Sequence, residues 1–114
     1  MPPATFHILM SLAANDRHGY AIIQNVESRT DGQLKLGAGT LYRSLQRMLE
    51  QGLIIETGDR PAADLDDERR RYYRITGYGE AVARAEAARL TELVRLARKS
   101  GFAAMKPKLA TGRA

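Results

Sequence analysis

Residues 37–57 read Gly37-Ala38-Gly39-Thr40-Leu41-Tyr42-Arg43-Ser44-Leu45-Gln46-Arg47-Met48-Leu49-Glu50-Gln51-Gly52-Leu53-Ile54-Ile55-Glu56-Thr57. Leu41, Leu45 and Leu49 recur every fourth residue, which predicts a helix over 40–51 with one leucine face. Gly52 stands where a helix-ending glycine belongs. The period then changes, and 53–57 read as a strand of β-branched residues. A second strand is predicted over 70–75, with Tyr72 and Tyr73 inside it. Between the two strands, Gly58 to Glu68 is polar, contains proline and is long for a hairpin loop.

Working outward toward the N-terminus, residues 3–14 read as a first helix. Pro2 and Pro3 suit its opening turn, where a missing N–H costs nothing. Phe6, Leu9, Met10 and Ala13 are its predicted buried stripe. Asn15-Asp16-Arg17 form a polar break. A second helix is predicted over 19–29, with Ile22, Ile23 and Val26 inward, ending at the turn formers Thr30-Asp31-Gly32. Leu34 to Leu36 is a short apolar-polar-apolar piece that predicts a single β-bridge.

Toward the C-terminus, Thr76 is the expected N-cap of a fourth helix over 77–99. Leu90, Leu93, Val94 and Ala97 stand at i, i+3, i+4 and i+7 and give one apolar stripe with no obvious surface in the chain to cover it. Residues 100–114 read as a flexible, weakly basic tail. The predicted fold class is therefore mainly α with a small β-hairpin wing. Residues 1–76 form a winged helix-turn-helix, the unit expected to bind DNA, and 77–99 a long helix expected to serve dimerisation.

Composition narrows the function classes. With 114 residues there is room for one domain and little more. Cysteine is absent, which excludes disulfide scaffolds and thiolate metal sites and fits a reducing compartment. The N-terminus lacks the pattern of a signal peptide, and no apolar run is long enough to span a membrane, so a cytoplasmic protein with no membrane partner is expected. Eighteen Lys and Arg face thirteen Asp and Glu, the electrostatic prior for a polyanionic partner. There is no phosphate-binding glycine loop after a strand and no nucleophile elbow, so neither an enzyme nor a cofactor or metal is expected.

The residues able to carry recognition lie on the third helix and the second strand. Opposite the leucine face stand Gly39, Thr40, Tyr42, Arg43, Gln46 and Arg47. Arginine can pair with guanine edges or phosphate, and glutamine with adenine. The same pattern also fits a solvated polar face. In the run Arg69-Arg70-Arg71-Tyr72-Tyr73-Arg74, period-2 alternation sends Tyr73 inward with Ile75, and Arg70, Tyr72 and Arg74 outward. Arg70 and Arg71 are the candidate phosphate contacts, the alternative being an edge strand protected by charge. Tyr20 is either a phosphate ligand or a core aromatic, with His18 as a helix cap, and His7 is a satisfied or dimer-facing histidine. The predicted dimer surface joins Phe6 and Met10 to Leu90, Leu93, Val94 and Ala97.

These pieces together resemble the PadR family of bacterial transcriptional regulators. The resemblance rests on His18-Gly19-Tyr20, Gly39-Thr40-Leu41-Tyr42, Leu49-Glu50-Gln51-Gly52-Leu53-Ile54, Arg70-Arg71-Tyr72-Tyr73-Arg74-Ile75-Thr76 and Gly79, in this order and spacing. It implies a short-form homodimer whose last helix packs on the partner's first helix. It also implies repression at an inverted-repeat operator of double-stranded DNA, relieved by a small-molecule effector or another signal. Tyr20, Thr40, Tyr42 and the wing arginines would then be DNA-facing. Family members often carry serine and proline at positions 37 and 38 and proline at 43, where this chain has Gly37, Ala38 and Arg43. Some bind drugs through a tryptophan at the dimer centre, and this chain has none. A winged protein-interaction module and an RNA-binding winged domain are the alternative readings.

Overall fold

The computed structural model describes residues 1–58 and 71–102. Its elements in chain order are α1 (Pro3–Leu12), β1 (Arg17–His18), α2 (Gly19–Arg29), α3 (Ala38–Glu50), β2 (Ile54–Thr57), β3 (Tyr72–Ile75) and α4 (Gly77–Lys99). Residues 1–84 form one compact unit, and 85 onward a second.

In the first unit, three helices pack around the buried side chains of Ile8, Leu9 and Leu12 from α1, Ile22 and Val26 from α2, and Leu41, Leu45 and Met48 from α3. The stripe expected on α1 is corrected. Ile8, Leu9 and Leu12 are the buried residues, Phe6 and Met10 are half-buried, and Ala13 is exposed beyond the helix end. The polar residues of Pro3–Leu12, Thr5, His7 and Ser11, do not line one side, so no polar face marks the phase of the helix.

α3 begins two residues earlier than expected. It ends where Gly52, at φ 78°, enters the left-handed region that favours glycine. The Gly52 N–H donates to the Leu49 carbonyl (3.1 Å) and the Leu53 N–H to the Met48 carbonyl (3.0 Å), satisfying two carbonyls the helix leaves open. Leu53 and Met48 are both buried, so the helix stop also aims the chain into β2.

The sheet has three antiparallel strands in the order β1-β3-β2, not two. β2 pairs along β3 from Ile54↔Ile75 to Thr57↔Tyr72. On the other edge, Arg17 pairs with Tyr73 and His18 with Tyr72. Of the polar break expected at Asn15-Asp16-Arg17, Asn15 and Asp16 stay outside any element, and Arg17 begins β1. The strand is held by Arg17 Nε, which donates to the Ser11 carbonyl at the end of α1, and by Asp16, which accepts from Arg74 Nη2 at 2.9 Å. The expected bridge at Leu34 to Leu36 does not form; Leu36 instead buries its side chain in the core with no strand partner.

Thr76 joins the sheet to α4. Its hydroxyl accepts from the Gly79 N–H (2.9 Å), capping the helix as expected, and lies 2.7 Å from the Gly52 carbonyl and 3.1 Å from that of Leu53. One hydroxyl thus serves the start of α4 and the turn after α3. Thr76→Ala should lower unfolding free energy by about 1–2 kcal/mol, measured by urea titration.

In the second unit the helix runs to Lys99 and stops at Gly101 (φ 98°), where the Phe102 N–H donates to the Ala97 carbonyl at 2.8 Å. Arg89 bonds Glu86 (2.7 Å) and Arg95 bonds Glu92 (2.7 Å), each three residues on, and these hydrogen bonds hold both carboxyls below the usual carboxylate range. The tail expected over 100–114 lies mostly outside the described residues, as does most of the loop from Gly58 to Glu68. No helix among the described residues is long and apolar enough to cross a membrane.

Candidate nucleic-acid interface

α3 buries Leu41, Leu45 and Met48, so helical geometry turns Gly39, Thr40, Tyr42, Arg43, Gln46 and Arg47 outward, and all six are exposed. Leu49, expected fully inside, is half-buried, because Met48 occupies the centre of the inner face. Gln46 donates from Nε2 to Glu50 at 3.3 Å along the exposed face. Among the described residues, Arg43 and Arg47 have no carboxylate partner, as Arg17, Arg29 and Arg98 elsewhere also have none, whereas Arg71, Arg74, Arg84, Arg89 and Arg95 each have one. The N-terminus of α3 has no side-chain cap and no acidic residue in its first turn. Its first N–H groups and two unpaired guanidinium groups therefore share one electropositive face.

The wing stands beside this face. Tyr73 is buried, Ile75 half-buried and Arg74 exposed, as alternation along β3 requires. Arg74 is spent on Asp16, which it grips through both Nε and Nη2. Arg71 lies 3.3 Å from Glu56 on β2, with both side chains well exposed, a contact a phosphate can displace because exposed pairs contribute little. Arg70 lies outside the described residues. Between α3 and the wing a cleft of about 520 Å³ is lined by Tyr42, Gln46, Leu49, Glu56, Arg71 and Tyr73 among others. Burial first, and then the Glu56 carboxylate, push the Tyr73 phenol above its ordinary value.

At the start of α2, Tyr20 is 63% exposed, which removes the core-aromatic reading. His18 is the cap: its Nδ1 accepts from the Ala21 N–H at 3.2 Å. The His18 and Tyr20 rings are parallel at 6.5 Å, and Tyr72 meets His18 edge-on at 5.3 Å. Sequence reasoning missed β1 and the grip of Asp16 on Arg74. A two-residue strand has no periodicity of its own, and its partner is far away in the chain.

Three packed helices, a winged sheet and an outward-facing polar α3 define the winged helix-turn-helix class. The pattern of the transcriptional regulator PadR-like family matches residues 8–85, and the chain belongs to that family of transcriptional regulators. A protein of Lysinibacillus sphaericus, itself uncharacterized, is 40% identical over 76 residues, and the match spans 65% of each chain. A transcriptional regulator from Clostridium thermocellum has a similar structure, with TM-score 0.71 and 26% identity over 83% of this chain and 89% of that one. Bacillus subtilis PadR, solved in complex with operator DNA, shares the fold at TM-score 0.64 and 17% identity, over 76% of this chain and 48% of that one.

Proposed function

We propose that two copies of the chain bind an inverted-repeat operator in duplex DNA, repress transcription in the cytoplasm and are released by a small molecule or another signal. The observation that carries this reading is the pair of arginines, Arg43 and Arg47, that stand on the exposed face of α3 with no carboxylate partner among the described residues. In this account α3 enters the major groove, where Arg43, Gln46 and Arg47 read or clamp. Gly39, Thr40 and Tyr20 approach the backbone beside the uncapped helix end, and the wing arginines Arg70 and Arg71 hold phosphates. Residues 1–76 are the DNA-binding unit, and 77–99 the dimerisation helix.

Association is supported by the apolar residues that the single chain leaves in water. Leu93 is 51% and Val94 43% exposed; Leu90 and Ala97 complete the stripe, half-buried, and Leu96 is exposed beside it. Phe6 and Met10, half-buried on α1, are the surface proposed to receive the partner's helix. Joined this way, the two reading helices sit roughly 34 Å apart, one turn of B-DNA.

The test begins with duplexes selected by the purified protein from a random pool, with affinity then followed against salt. With about six phosphate contacts, log K should fall against log salt with a slope of roughly −5. Arg71→Ala should flatten the slope by about 1. If the slope does not change, Arg71 touches no phosphate. A slope near zero in the parent protein would overturn the reading.

A further inference from the structure

We infer that Gly19 and Tyr42 form a joint that sets the recognition helix against α2, so that Tyr42 acts on DNA recognition by positioning α3 and not by reading a base. The inference rests on the DNA-binding reading. Gly19 opens α2 and is buried, yet its backbone lies outside the left-handed region that would call for glycine. What calls for glycine is the Tyr42 ring. A Cβ at position 19 would lie 2.8 Å from Tyr42 Cζ and 3.2 Å from Cε1, with the hydroxyl oxygen nearer still. The end of the Tyr42 side chain therefore occupies the space a methyl group would take.

The residue before this contact faces the wing. His18 pairs with Tyr72 in the sheet, meets its ring edge-on and caps α2 through Nδ1. Two adjacent residues thus place the start of α2 against β3 on one side and α3 on the other. Tyr42 is 45% exposed and stands next to Arg43, one turn before Gln46. A tilt of α3 at this contact moves the reach of Arg43, Gln46 and Arg47 together. Recognition geometry tolerates only about 0.5 Å of such displacement.

Gly19→Ala is the test, because the added methyl meets the end of a half-exposed side chain that can swing into water and not a backbone atom. The variant should fold with a thermal midpoint close to that of the parent. Its affinity for the selected duplex should fall about tenfold, with discrimination weakened across the whole half-site. On a Tyr42→Ala background, already weakened in the same way, adding Gly19→Ala should cost nothing more. Tyr42→Phe, which keeps the ring in its notch, should retain parent-like discrimination, and this comparison decides the matter should Gly19→Ala fail to fold.

Parent-like binding by Gly19→Ala, equal costs on both backgrounds, or a Tyr42→Ala defect confined to one base pair would each overturn the joint while leaving DNA binding intact. A parent protein that prefers no duplex sequence would instead overturn the DNA-binding reading, and the joint's role with it.

Discussion

Replacing Leu93 by aspartate should leave the chain monomeric and lower its affinity for a two-half-site duplex by about a hundredfold or more. Leu93 is 51% exposed in the single chain and lies outside its buried core, so the substitution removes little of the packing that holds the chain itself together. In the proposed dimer it places two carboxylates in an apolar seam, where unpaired charge is strongly disfavoured. Once the seam is lost, each half-site is met by an independent chain. The gain from linking two binding events, on the order of 10²–10⁴, disappears with it. Light scattering and a duplex titration on the same sample check both halves of the expectation. A dimer that survives, or an affinity that does not change, would show that α4 does not join the copies.

Gly79→Ala should be the most destabilising of the glycine substitutions. A Cβ at this position would run into the Leu53 carbonyl oxygen and lie 2.9 Å from Ile75 Cγ1 and 3.1 Å from the Leu53 carbonyl carbon. Unlike the tyrosine that faces Gly19, this obstacle is backbone. It is also fixed, because the same carbonyl accepts from the Thr76 N–H at 3.1 Å and lies 3.1 Å from the Thr76 hydroxyl. Alanine would gain about 1 kcal/mol of helix propensity over glycine. Overpacking against a held carbonyl costs about 2–3 kcal/mol or more, so the clash wins. The thermal midpoint should fall by roughly 5–15 °C. A midpoint equal to or above the parent's would mean that α4 can shift away from β2.

The parts of the fold legible in the sequence are those that announce themselves with local chemistry. α2 and α4 have the expected bounds because Thr30-Asp31-Gly32 and Thr76 form turns and caps wherever they fall. Gly52 stops α3 for the same reason, and the spacing of Leu41 and Leu45 set its inner face, which Met48 and not Leu49 completes. What was not legible depends on distant partners. Whether Leu36 pairs as strand or plugs the core depends on what lies opposite, and no neighbouring residue specifies that. β1 exists only because β3 offers an edge and Asp16 finds Arg74 across it.

The candidate interface divides in the same way. Amphipathicity alone puts Arg43, Gln46 and Arg47 on one exposed face. That Arg74 is tied to Asp16, and that the Tyr42 ring rests on Gly19, follows only from the packed helices and sheet.

The most direct measurement is the number of chains bound to a duplex selected by the protein, read together with the pattern of protected bases. Two chains should occupy each duplex and protect an inverted repeat whose half-site centres lie about 10 base pairs apart. One chain on a single protected half-site, or protection with no preferred sequence, would contradict the account.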